Sequence, residues 1–318
     1  MLLQKLTGNP LLAGTLAALL LIMPLGQIYL LFPLQLIVPL PIYLIALRLG
    51  NREGLLAAGV PVLFCLGLLG QIGLPLVLTY VAMIFFPLLA AWLLRGGWRP
   101  IQVLGGGYLL SVIFLVLFLL WSAVTGNAFL DGIHNQLMAN KQEILTSMSS
   151  TKQFDAKLIV EMEQSLDEAF KLFALLFPAM FLSSWFTIQV GNLLLVRYVV
   201  KRWQMPLIAD QDLSSLRVPF FLVWPLIAFG LLAFLTTGPM QQFGINLVLF
   251  LAIPYFFQGY SVVQKWFLHY KVSVFTRAIF YMMLITWSAF ILAVTVLGLF
   301  DTWVDFRSRL TTGDDNTP

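Results

Sequence analysis

Few side chains in this 318-residue chain are suited to chemistry, and their spacing gives them little to do. His134 follows Asp131-Gly-Ile, and His269 lies in a basic stretch after a long apolar run. Neither has a nucleophile or a second ligand at the spacing that catalysis or metal binding requires. Cys65 sits in the middle of an apolar run, where a thiol is a small packing group. One cysteine and two histidines make neither a disulfide framework nor a metal cluster. Gly105-Gly106-Gly107 follows no strand and precedes no Lys-Ser pair, so it reads as close helix packing and not as a phosphate loop. No paired acid and base stands out, and the expectation is a protein that is not an enzyme, with no catalytic residue, no metal and no cofactor.

The remaining polar side chains are neutral amides and hydroxyls inside apolar runs. Gln27, Gln35, Gln71, Gln241, Gln242 and Asn246 fall toward one end of those runs, and Gln189, Asn192, Gln258, Ser261 and Gln264 toward the other. Amides buried in lipid need partners, so one reading makes them interhelical links worth less than about 1 kcal/mol each. The other takes Gln27, Gln35, Gln71 and Asn246 as the lining of a cavity open to the exterior, where neutral donors and acceptors hold a small polar solute.

The elements that would position these groups are membrane helices. The chain is 60% hydrophobic and 10% charged, against about 45–50% and about 25% in an ordinary soluble domain. Six charge-free runs mark the hydrocarbon segments, and three of them are long enough to turn and cross twice, at Pro33, at 70–75 and at 236–244. Nine spans follow, at about 11–30, 34–47, 54–70, 75–94, 102–125, 172–196, 218–236, 245–264 and 278–300. Segment 34–47 is short and carries Pro39 and Pro41, so a re-entrant course is the alternative there. Twelve of the 18 basic residues fall in the loops on one side, and the three short loops on the other side hold none. That alternation predicts an N-terminus inside and a C-terminus outside. Trp98, Trp203 and Trp266, with Trp121 and Trp303 at the opposite ends, fit interfacial anchors.

The apolar run after Lys5 has no cleavage-like exit, so the first span is expected to stay in place. The expected location is a bacterial cytoplasmic membrane, with a multi-pass chain in contact with the bilayer and, at a net charge of +4, no nucleic-acid partner. No acidic or basic residue lies within a predicted span, which argues against an ion-driven carrier.

One hydrophilic region interrupts the pattern. Residues 131–171 carry 7 of the 14 acidic residues, and Phe154, Leu158, Met162, Leu166, Phe170 and Phe173 draw an apolar stripe at helical spacing. Ser150 and Gln153 read as a capping box for that helix, and the stretch with Leu137, Ile144 and Met148 as its partner. The expected architecture is therefore all-α: an N-terminal membrane domain over 1–130, an external amphipathic helical hairpin over 131–171, a C-terminal membrane domain over 172–300 and a polar tail over 301–318.

Two resemblances attach to particular residues. Leu213-Ser-Ser-Leu-Arg-Val-Pro-Phe220, Trp224-Pro225, Gly244-Ile-Asn246 and Tyr255-Phe-Phe-Gln258-Gly259 resemble the YybS-like family of predicted bacterial membrane proteins, a domain of unknown function. Residues 39–50 with Gly54-Leu-Leu-Ala-Ala58 look like a segment of the substrate-binding subunits of energy-coupling-factor vitamin transporters and of the rod-shape protein MreD. Those transporter subunits dock on an energising subunit through small residues four apart, a pattern that Ala13 and Ala17 match here. This resemblance implies partners among other membrane proteins, including an ATPase-linked energising subunit. The functional expectation is a membrane subunit related to solute binding or transport without its own energy source. The alternative is a cell-envelope biogenesis or scaffold protein with no small-molecule ligand.

Overall fold

The computed structural model describes residues 8–22, 34–68, 73–125, 128–150, 156–202 and 217–308. Every regular element among them is helical. The α-helices are α1 (Pro10–Ile22), α2 (Pro39–Leu49), α3 (Asn51–Leu68), α4 (Gly73–Arg95), α5 (Pro100–Val124), α6 (Ala128–Ser150), α7 (Ala156–Arg202), α8 (Val223–Leu235), α9 (Pro239–His269), α10 (Val274–Thr286) and α11 (Ser288–Val304). Three of them, α5, the 160–202 part of α7, and α9, are long and apolar enough to cross a membrane; α10 and α11 make a fourth crossing if the bent pair counts as one. Several other segments expected to span are shorter apolar helices. The clearest is α2, whose 11 residues reach only about 16 Å at ~1.5 Å per residue, short of the ~30 Å hydrocarbon layer.

The chain forms two compact units. Unit 1 comprises residues 1–110 and 184–211. Its local starts follow from the sequence: Asn9 Oδ1 accepts from the backbone N–H of Leu11 at 3.0 Å, and Pro10 occupies the first helical position, where a missing N–H costs nothing. Gly50, at φ 118°, makes the tight corner between α2 and α3 that a side chain would strain. Small residues then let the helices close. Gly14 of α1 backs onto the Ala57 carbonyl and Val60 of α3, and a Cβ at Gly54 would strike Ala46 of α2. Arg95 Nη1 donates to Leu47 O at 3.0 Å and Asn51 Nδ2 to Leu88 O at 3.2 Å, tying the ends of α2, α3 and α4 together. Of the three adjacent glycines only Gly107 makes a close approach, under the Phe86 ring; a Cβ at Gly105 or Gly106 would meet open space.

Unit 2 comprises residues 111–183 and 212–318. Helix α7 has no interruption before Pro178, so the hydrophilic 156–171 stretch and the start of the apolar run after it belong to one helix. Met162, Leu166 and Phe170 of the stripe are half-buried. On α6, Leu137, Lys141 and Leu145 face inward while Ile144 faces out, a one-residue shift from the pattern read in the sequence. Lys141 Nζ ties the two arms, 2.7 Å from Asp167 Oδ1 and 3.0 Å from Glu163 Oε1. The Asp167 hydrogen bond, and Glu163 beside it, hold the ammonium above the ordinary lysine value. Phe154, Gln153 and the Gln27, Gln71 and Trp203 positions lie outside the described residues, as do the side chains of Ser150, Met148 and Leu158.

Helices α8 and α9 meet with Gly244 against the backbone of Phe229 and Ala233. Helices α9 and α11 cross at Gly259 and Gly298, where a Cβ on either would fall on a carbonyl of the other helix. The ninth predicted span is not straight. Trp287 has an extended backbone, and α10 and α11 meet at 107°. Helix α11 is held to α9 by the glycine contact.

Candidate functional site

Prolines inside helices explain where the amides go. A proline has no N–H, so the carbonyl four residues earlier loses its helical donor. In α4, Pro87 frees the Met83 carbonyl, and Gln189 Nε2 of α7 donates to it at 3.0 Å. Trp185 Nε1, one turn before, donates to Ala82 O at 2.9 Å, and its ring meets Phe86 edge-on. Asn192 Nδ2, one turn after, donates to Leu36 O at 2.8 Å, in the 3-10 turn over 34–37. The donor that the turn would offer Leu36 is residue 39, a proline. Trp185, Gln189 and Asn192 thus form one row of donors on α7, matched to backbone carbonyls in unit 1.

That row leaves the other half of each amide unused. Gln189 Oε1 and Asn192 Oδ1 have no hydrogen-bond partner among the described residues, and neither have the hydroxyls of Tyr43 on α2 and Tyr80 on α4. Tyr43, Tyr80 and Gln189 are 0% exposed and Asn192 2%. Tyr80 precedes Met83 by less than a turn, which puts it close to the level of the Gln189 contact along α4. Two hydroxyls and two amide carbonyls, all neutral and all in unit 1, are groups that recognise an uncharged hydrogen-bonding molecule.

In unit 2 an asparagine answers a proline in the same way. Pro178 interrupts α7, and the Asn246 amide of α9 enters there: Oδ1 accepts from Ala179 N–H at 2.8 Å, and Nδ2 donates to Leu175 O at 2.8 Å and to Gln242 O at 2.8 Å. Asn246 is fully buried, with both its N–H groups and its carbonyl engaged, so it acts as a clasp between α7 and α9. Gln35 Nε2 likewise closes on Leu21 O at 3.2 Å. Ala13 and Ala17, expected to meet a partner subunit, are buried in the packed interior of unit 1 with α1 against α3.

Sequence reasoning passed over Asp301 and Arg307, which it placed in a polar tail. The apolar run stops at Phe300, but α11 continues one turn further, and residues 305–308 fold back on it. Asp301 Oδ2 accepts from Gln258 Nε2 at 2.9 Å and from Arg307 Nη2 at 2.8 Å, and its Oδ1 accepts from Phe306 N–H at 2.9 Å. Gln258 Oε1 accepts from Val218 N–H at 2.7 Å, and Arg217 Nη2 pairs with Asp305 Oδ2 at 2.8 Å. The Asp301 and Arg307 side chains are 1% and 3% exposed. A charge pair so placed needs hydrogen bonds to persist; both Asp301 oxygens have them, and the cluster ties α9, α11 and the 217–218 segment at one point. A tyrosine in an otherwise apolar helix was the available signal for Tyr43 and Tyr80, and an Asp-Thr-Trp run just past an apolar run was the signal for Asp301.

Apolar helices of spanning length, with their polar groups turned inward to each other, define a helical membrane protein. The chain belongs to the DUF2232 family of predicted membrane proteins, whose model matches residues 14–302. No curated protein and no solved structure matches it.

Proposed function

We propose that the chain is a non-enzymatic membrane subunit that binds a small uncharged solute inside unit 1, related to transport and without its own energy source. The observation that carries the proposal is a group of buried atoms in unit 1 without a hydrogen-bond partner among the described residues: Tyr43 OH, Tyr80 OH, Gln189 Oε1 and Asn192 Oδ1, with Asn51 Oδ1 at the start of α3 a further one. Leaving one such group without a hydrogen bond costs about 1–3 kcal/mol, a large sum for four of them against a typical stability of about 5–15 kcal/mol. A solute with matching donors and acceptors recovers that energy. Neutral groups favour an uncharged solute such as a nucleobase or an amide-bearing vitamin. The likeness of residues 39–58 to vitamin-transporter subunits points the same way. An ATPase-linked partner would need a face other than Ala13 and Ala17, because α1 packs that side within unit 1.

Thermal unfolding of the purified protein with uncharged nucleobases and vitamins tests the reading, since a ligand of the folded state raises Tm by mass action. A rise for one compound, reduced in Tyr80→Phe and in Gln189→Met, supports it. No rise for any compound, with a pull-down that yields envelope proteins and no ATPase, favours the scaffold alternative instead.

A further inference from the structure

The corner between α9 and α10 is built unlike the other turns of unit 2. Arg277 reaches back across it, with Nε donating to Val272 O at 3.1 Å and Nη2 to Phe267 O at 3.2 Å, and lies over the Phe267 ring at 5.9 Å from its centroid. It therefore occupies carbonyls at the C-terminal end of α9, where a cation is favoured. Phe280 meets Phe267 edge-on at 5.2 Å, and Ser273 caps α10 by accepting from Thr276 N–H. A rigid corner results. Outside that frame, Leu268, Tyr270, Val274 and Phe275 stand 67%, 68%, 83% and 75% exposed on either side of an exposed Lys271 in sequence, with a half-buried Lys265 six residues before it. No Asp or Glu occurs between residues 213 and 300, so nothing in that stretch neutralises the lysines. The turn between α8 and α9, Thr236-Thr237-Gly238, carries no charge at all.

We infer that this corner is a docking surface for anionic phospholipid, with Leu268, Tyr270, Val274 and Phe275 seated at the acyl boundary and Lys271 and Lys265 facing the lipid phosphates. Two features select lipid over an acidic protein. The corner ends α9, a helix long and apolar enough to cross a membrane, so its exposed apolar groups and lysines stand where acyl chains give way to phosphate. The corner is also fixed by Arg277 before any lipid arrives, so little ordering entropy is lost on contact.

The test is native mass spectrometry of the full chain extracted from bilayers of phosphatidylcholine with phosphatidylglycerol, reading retained lipid. Phosphatidylglycerol should be retained above its share of the bilayer. A lysine near an anionic surface contributes enough for removal of Lys271 to lower that enrichment about fivefold, so Lys271→Gln should fall close to the bilayer ratio while Lys171→Gln, on the hairpin, should not. Enrichment should also fall in high salt. Val274→Ser with Phe275→Ser should weaken retention of both lipids while leaving Lys271 in place. Soluble glycerol phosphate should fail to compete; competition by it would mean that the corner binds free phosphate and would overturn the lipid assignment. Equal retention in wild type and Lys271→Gln, or capture of an acidic protein in place of lipid, would overturn it as well.

Discussion

The Asn246 amide stands in the break that Pro178 makes in α7, joined to both ends of the next rung, Ala179 N–H and Leu175 C=O, at 2.8 Å each. The proline and the asparagine come from different helices and are 68 residues apart in sequence, yet each accounts for the other. Removing the amide leaves two backbone groups buried without it, each worth about 1–3 kcal/mol when unmet. Asn246→Leu should therefore cost about 2 kcal/mol of stability after local relaxation. Pro178→Ala removes the ring that holds the helix open there and lets Ala179 N–H return to Leu175 O, so Asn246→Leu should cost less in that background, with a coupling above about 1 kcal/mol by double-mutant cycle. Additive losses would show that the two residues act independently. Unfolding midpoints in mixed micelles measure all four variants.

Lys141 gives the hairpin a definite pH response. Its ammonium pKa is raised above the ordinary 10.5, first by the Asp167 hydrogen bond and then by Glu163. A raised folded value means that the clasp is complete below the unfolded pKa and is lost only as pH climbs through the folded one. Protease resistance of residues 131–171 should therefore stay flat from pH 6 to 9 and fall only in strong alkali. Lys141→Met should cleave faster at every pH in that window. A marked loss of resistance between pH 6 and 9 in the wild type would show that another group holds the arms.

How much of this was legible beforehand depends on whether the cause was local. The all-helical membrane class, the continuity from the 156–171 stretch into the span after it, and the packing role of Cys65 follow from composition and periodicity, which are properties of neighbouring residues. The fate of the amides was not local. Gln189 and Asn246 have similar sequence surroundings, and only the identity of the facing residue, near Pro87 or Pro178, decides where each bonds. The residues that carried the sequence resemblance, Gly244, Asn246, Gln258 and Gly259, prove to be the close approaches and clasps of unit 2. The kink at Trp287 left no mark in the sequence because no proline or glycine stands at residues 286–288.

The Asp301–Arg307 pair should behave as buried charge does elsewhere. Asp301→Leu takes the carboxylate from a buried guanidinium and from the donors of Gln258 and Phe306, at a cost of about 3–5 kcal/mol. Asp301→Leu combined with Arg307→Met replaces the pair with apolar groups and should be less damaging than Asp301→Leu alone. Thermal midpoints in detergent decide it. A double variant no better than the single would mean that Arg307 contributes to stability through contacts other than this carboxylate.

The same pair bears on which way the chain ends. The alternation of basic loops puts Gln258 toward the inner end of its span and Asp301 at the outer end of the next, about a membrane thickness apart. Their atoms are 2.9 Å apart, and the Phe306 ring lies 6.4 Å from that of Trp266, one turn before the α9–α10 corner. With the 107° bend at Trp287, α10 leaves that corner and α11 returns to its level, so the two should form a re-entrant pair. In a Cys65→Ala background, Ser273→Cys at the corner and Ser308→Cys past α11 should therefore react with an impermeant thiol reagent from the same side of the membrane. Thr237→Cys, in the turn at the far end of α9, should react from the opposite side, because α9 is long enough to cross. Labelling of Ser273→Cys and Ser308→Cys from opposite sides would establish α10 and α11 as one bent span and return the C-terminus to the outer face.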